Sequence, residues 1–190
     1  MIENLFISKV RIKMLDHFLS NPSEEYHVRG LVRLLDEEIN AVRRELQNLE
    51  RCKLLHSQRR GNKLYYKLTP ENIIVADLRA LIYKDRADVQ KVAAALLTIE
   101  GIKAAFLTEN YINNSHDAEY DIDLFVLGKV SVDKFTTEMK KLEKELEREF
   151  RMTLFTPEDL EFQHKKRDAF LLNVLRKDRI MLIGSEKDLY

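Results

Sequence analysis

The stretch from Asn40 to Leu68, NAVRRELQNLERCKLLHSQRRGNKLYYKL, restricts the fold more than any other part of the chain. A helical pattern runs without a break into two strand-like segments joined at Arg59-Arg60-Gly61-Asn62-Lys63, so the local order must be helix, then hairpin. With side chains set at about 100° per residue, Ile39, Val42, Leu46 and Leu49 share one side of the helix. Asn40, Arg44, Gln47 and Arg51 fall in a narrow stripe opposite, with Arg43 at its edge. The stretch holds eight Lys or Arg against two acids, in a chain whose formal net charge is zero.

Asn, Gln and Arg carry the paired donors and acceptors that match base edges in a DNA major groove, and Arg also neutralises phosphate. A solvated helix face is polar and charged as well, so the stripe alone does not decide. The ribbon adds weight. Gly61-Asn62 suits a tight turn that needs positive φ, and the strands are expected over Lys53 to Arg60 and Lys63 to Leu68. Alternation puts Leu64, Tyr66 and Leu68 on one face and Lys63, Tyr65 and Lys67 on the other. Tyr66 reads as core, and Tyr65 fits either environment. Arg59, Arg60 and Lys63 at the tip suit a minor groove or the phosphates beside it.

Charge supports a division of labour. Residues 1 to 70 contain 13 basic and 9 acidic side chains, the remainder 19 and 23. A basic first half on an acidic second half suits a polyanion-binding module joined to a part with another task. No apolar run reaches the roughly 18 residues of a membrane span, and the N-terminus lacks a secretory pattern, so no membrane contact is expected and the cytoplasm is the expected location. Cys52 is the single cysteine, expected as a small buried residue at a helix end. The five histidines, His17, His27, His56, His116 and His164, have no ligand spacing.

Ahead of this stretch, Phe6 to Leu19 has the apolar stripe of a first helix, ended by Asn21-Pro22. Glu25-Tyr26-His27 reads as extended, and Val28, Leu31, Val32 and Leu35 as a short second helix before the turn Asp36-Glu37-Glu38. Three helices and a basic hairpin form the winged helix-turn-helix layout. Through EYHVRGLVRLL, NAVRRELQNLERCKLL and RRGNKLYYKLTP the first 70 residues or so resemble the ArsR-like winged-helix regulators. The resemblance implies a DNA-reading helix around Asn40 to Arg51, double-stranded DNA as partner and a homodimer. It does not extend to metal sensing, because the cysteine and histidine ligand sets are absent. The three acids at Asp36 to Glu38 stand where phosphates should approach.

Residues 71 to 87 read as a connecting helix, and residues 88 to 190 as a second domain. Strands are expected at Lys103 to Thr108, Asp121 to Leu127, Met152 to Phe155 and Ile180 to Ile183, with helices between them and Thr156 as a cap. This order, with Asp121-x-Asp123 and LFTPEDL, resembles a minimal nucleotidyltransferase domain over about residues 88 to 184. In that family a Gly-Ser pair ten residues earlier receives the triphosphate, and the carboxylates hold divalent metal. Here Glu109-Asn110 occupies the Gly-Ser place, and no carboxylate appears on Arg151 to Leu154. Asp121 and Asp123, two apart on one strand, are expected to face the same way.

The expected class is therefore α+β, an N-terminal winged helix domain (1 to 70) followed by a small mixed-sheet nucleotidyltransferase-like domain. The expected function is DNA-binding regulation, with a degenerate second domain that senses a small-molecule or protein effector, contacts a partner or supports dimerisation. No cofactor is expected on that reading. The alternative is metal-dependent nucleotidyl transfer to a protein or small hydroxyl, with magnesium at Asp121 and Asp123.

Overall fold

The structure, a computed structural model, describes residues 2–4, 6–113 and 121–190. The chain divides into two compact units, Met1–Asp85 and Arg86–Tyr190, and its class is α+β. His116 lies outside the described residues.

In the first unit α1 (Lys9–Ser20) starts later than its apolar stripe suggests, because Ser8 caps it and accepts the Arg11 N–H at 3.2 Å. It buries Met14, Leu15, Phe18 and Leu19. A strand, β1 (Glu25–His27), leads into α2 (Val28–Leu35), which ends on Asp36 in the left-handed conformation. The third helix, α3 (Ile39–Arg51), buries Val42, Leu46 and Leu49, as its periodicity requires. The hairpin follows as β2 (Leu55–Arg60) and β3 (Lys63–Leu68), antiparallel in unbroken register from Leu55↔Leu68 to Arg60↔Lys63. Gly61 takes φ +58 at the turn. β1 pairs with the other side of β3, giving the order β1-β3-β2. This unit is a winged helix-turn-helix.

The helix over the expected connector, α4 (Val75–Lys84), belongs to this unit's core. Val75 and Ile82 are buried with Met14, Phe18, Leu46 and Leu68. The Tyr83 hydroxyl donates to Ser20 Oγ at 3.0 Å. One expectation fails here: Cys52 is exposed rather than buried. It caps α3 where the chain turns outward, and Leu54 and Leu55 take the interior positions.

The second unit contains α5 (Ala87–Leu97), β4 (Ile102–Thr108), α6 (Glu109–Asn113), β5 (Leu124–Gly128) and α7 (Val132–Leu146). It continues with β6 (Met152–Phe155), α8 (Pro157–Lys166), α9 (Ala169–Arg176) and β7 (Arg179–Ile183). The strands form one mixed sheet in the order β6-β5-β4-β7; only β5 and β6 run parallel, joined by α7. β4 and β5 are covered on both faces. Ala105, Leu107, Leu124 and Val126 pack with α5 and α7 side chains, whereas Ala104, Phe106, Phe125 and Leu127 pack with those of α8 and α9. Period-two alternation thus serves two cores at once. Thr156 caps α8 in a reciprocal box with Asp159.

Candidate nucleic-acid interface

Asn40, Arg43, Arg44, Gln47 and Arg51 all stand exposed on α3, opposite its buried Val42, Leu46 and Leu49. The two acids of the basic stretch turn inward. Glu45 is 6% exposed and accepts Arg11 Nε at 2.8 Å, with Asn48 Nδ2 at 3.4 Å. Burial pushes its pKa up, but hydrogen bonds from Arg11, Ser8 and Asn48 outweigh that and hold it below the usual glutamate value. Glu50 accepts the Ser57 hydroxyl of β2. The outward face of α3 is left to amides and guanidinium groups.

The acidic turn before α3 is partly neutralised within the fold. Lys13 Nζ lies 2.6 Å from Glu37 Oε1 and also donates to the Leu35 carbonyl. Glu38 is the exposed N-cap of α3, and its side chain makes no capping bond.

At the wing the expected residues separate into groups. Arg59 and Lys63 are exposed at the tip. Arg60 is held by Glu25, Nη1 to Oε2 at 2.7 Å, with its guanidinium 5.6 Å from the Tyr65 ring centroid. Tyr65 is half-buried and stacks on His27 at 5.6 Å. Lys67 is half-buried between its strand partners Glu25 and His56. Arg60, Tyr65 and Lys67 are therefore braced by neighbours within the fold, whereas Arg59 and Lys63 stand exposed beside the turn.

Residues absent from the sequence-based set, above all His27, Arg29 and Arg33, complete the surface. A cavity of about 460 Å3 is lined by His27, Val28 and Arg29 at the start of α2, by Arg43 of α3, and by Asn62, Lys63 and Leu64 of the wing. A second of about 430 Å3 adds Arg33 to His27, Arg29 and Lys63. Two helices and the wing thus converge on one basic concavity. The start of α2, whose N-cap His27 makes no side-chain capping bond, adds its partial positive charge. The signal was present in Arg29 and Arg33, which fall outside the apolar positions of α2. Gly30 shapes the site: a Cβ there would lie 2.9 Å from His27 Nδ1, so its absence lets the imidazole fold against α2.

The carboxylate pair of the second unit departs from expectation. Asp121 and Asp123 precede β5 instead of lying on it, and they are held by different cations. Lys177 Nζ is 2.9 Å from Asp121 Oδ1 and 3.3 Å from Asn110 Oδ1. Arg148 Nη2 is 3.2 Å from Asp123 Oδ1, and the Arg151 N–H donates to Oδ2 at 3.0 Å. Asp123 is fully buried, and Asp121 and Asn110 are each 6% exposed. Glu109 and Asn110 open α6, and Asn110 joins the cluster. This donor set does not fit a divalent ion: its carboxylates are already compensated, and no group of three His, Cys, Asp or Glu among the described residues is arranged to hold a metal.

No family model and no curated protein matches the sequence. Three solved structures show partial likeness. HlyU from Vibrio cholerae, in its reduced form, is 21% identical over 43% of this chain and 78% of its own, with a TM-score of 0.33. A mutant of ZitR from Lactococcus lactis is 18% identical over 48% and 70%, also at 0.33. Human N-acetylserotonin methyltransferase in complex with SAM is 14% identical at a TM-score of 0.31; the match covers 92% of this chain and 46% of that one. Likeness at this level carries no functional conclusion, and the winged-helix assignment rests on the element order and register above. Among the described residues no helix is long and apolar enough to cross a membrane.

Proposed function

We propose that this protein is a DNA-binding regulator of transcription whose first unit docks on double-stranded DNA. α3 lies in the major groove, with Asn40, Arg43, Arg44, Gln47 and Arg51 toward the bases and phosphates. Arg59 and Lys63 of the wing reach the adjacent backbone or minor groove. The observation that carries this reading is the convergence of Arg29, Arg43 and Lys63 from α2, α3 and the wing on one concavity. Arg33 extends the same surface. In a homodimer the two copies of α3 would meet successive turns of the groove, about 34 Å apart. The second unit, nucleotidyltransferase-like in its element order, serves for sensing, partner contact or dimerisation. Nucleotidyl transfer is disfavoured by the ammonium and guanidinium groups already seated on Asp121 and Asp123.

The test is fluorescence anisotropy of the full chain with labelled duplexes from its own upstream region and of random sequence, across a salt series. Tight binding that weakens steeply with salt and favours the upstream duplex is expected. Equal, weak binding to both duplexes, unchanged by Arg44→Ala, would refute the reading.

A further inference from the structure

The buried carboxylates ahead of β5 need positive charge nearby, because two ionised groups out of water are otherwise strongly unfavourable. That charge comes from remote parts of the chain: Lys177 lies 56 residues from Asp121, and Arg148 25 residues from Asp123. We propose that Lys177 and Arg148 are built-in cations standing in place of a divalent metal ion, and that removing the Lys177 ammonium opens a divalent-cation site on Asp121 and Asn110.

The two cations differ in how firmly they are held. The Arg148 guanidinium lies 4.1 Å from the Tyr111 ring centroid and donates to the Tyr111 carbonyl at 3.4 Å as well as to Asp123. Tyr111 is itself fixed by its hydroxyl, which donates to Asp88 Oδ2 at 2.8 Å, and by stacking on Phe150 at 5.6 Å. Arg148 is thus clamped on three sides. Lys177 follows α9 and brings a compact charge on a flexible stem to two oxygens, Asp121 Oδ1 and Asn110 Oδ1. Both are hard donors of the kind that small divalent ions select, and both face the point where the ammonium sits. Lys177 is therefore the replaceable cation. The inference does not rest on DNA binding by the first unit.

The experiment titrates Mn2+ into the chelator-stripped full chain and follows free ion by electron paramagnetic resonance. Wild type and Lys177→Arg should bind weakly and alike, because each keeps a positive charge on Asp121. Lys177→Ala should bind at least tenfold more tightly, and adding Asp121→Asn should remove that gain. If Lys177→Ala is unfolded without metal, recovery of its native circular dichroism in millimolar Mn2+ supports the proposal, and failure to recover overturns it. The proposal is also overturned by a folded Lys177→Ala with no gain, or by tight wild-type binding that Asp121→Asn abolishes.

Discussion

Arg11 of α1 donates to the buried carboxylate of Glu45 at 2.8 Å, tying the first helix to the inner side of the helix that faces outward with arginines. Arg11→Met leaves that carboxylate short of a partner and should cost about 1–3 kcal/mol in urea denaturation at neutral pH. Because the folded pKa of Glu45 is depressed, the bond's contribution is fully present above the ordinary glutamate value of about 4.3 and is lost as pH falls through the lower folded value. Wild type and variant should therefore converge in stability only as pH falls through that lower folded value. An undiminished difference there would show that the lost contribution is packing.

The wing arginines should differ despite being neighbours. Arg60 is already paired with Glu25, whereas no ion pair among the described residues engages Arg59. Arg59→Ala, Arg43→Ala and Lys63→Ala should each weaken DNA binding and lower the salt slope by about one, the value for one lost phosphate contact. Arg60→Ala should do less. Anisotropy at several salt concentrations separates these outcomes, and a larger effect from Arg60→Ala would place the DNA on the Glu25 side of the wing.

Gly30→Ala should act on binding more than on folding. The added Cβ meets the movable His27 ring rather than backbone, so the ring is displaced from α2 and from its stack on Tyr65. A fall in DNA affinity with nearly unchanged thermal stability is expected. A large drop in melting temperature would instead make the His27–Tyr65 stack part of the folding core.

In the second unit, burial and the hydrogen bond to Asp88 push the Tyr111 pKa well above that of an ordinary phenol. Its contribution is present below the unfolded value near 10 and is lost as pH rises through the folded one. Tyr111→Phe should cost about 1 kcal/mol at neutral pH. Ultraviolet absorbance should show wild type with one more late-ionising phenol than the variant, and unfolding should accompany that last step.

Much of this was readable where information is local. Val28 to Leu35 repeats with helical period, Leu64 to Leu68 alternates, and Val42, Leu46 and Leu49 mark the inner side of α3 by spacing alone. Val42, Leu46 and Leu49 are buried as spaced, and so are Tyr66 and Leu68, but Leu64 beside the turn is exposed, and of the α2 repeat Leu31 is buried while Val28, Val32 and Leu35 are half-buried. Partnerships across long sequence separations left no such mark. Glu25 holds Arg60 from 35 residues away, and Lys177 meets Asp121 from 56. Glu45 flanks the apolar side of α3, but its polarity hid its inward position until Arg11 was beside it. Asp121 and Asp123 have strand spacing, yet the ladder begins only at Leu124. A two-residue rhythm cannot mark where pairing starts.

The hairpin pairs without a bulge from its root to Arg60↔Lys63, with only Gly61 and Asn62 beyond. Its length is therefore an adjustable dimension. Inserting one residue in each strand beside the turn would extend the wing by about 3.3 Å and exchange the faces of the tip side chains. Inserting two in each would extend it by about 7 Å and restore them. Relatives that read differently spaced grooves would thus be expected to vary this hairpin in even steps, leaving α3 and its arginines in place.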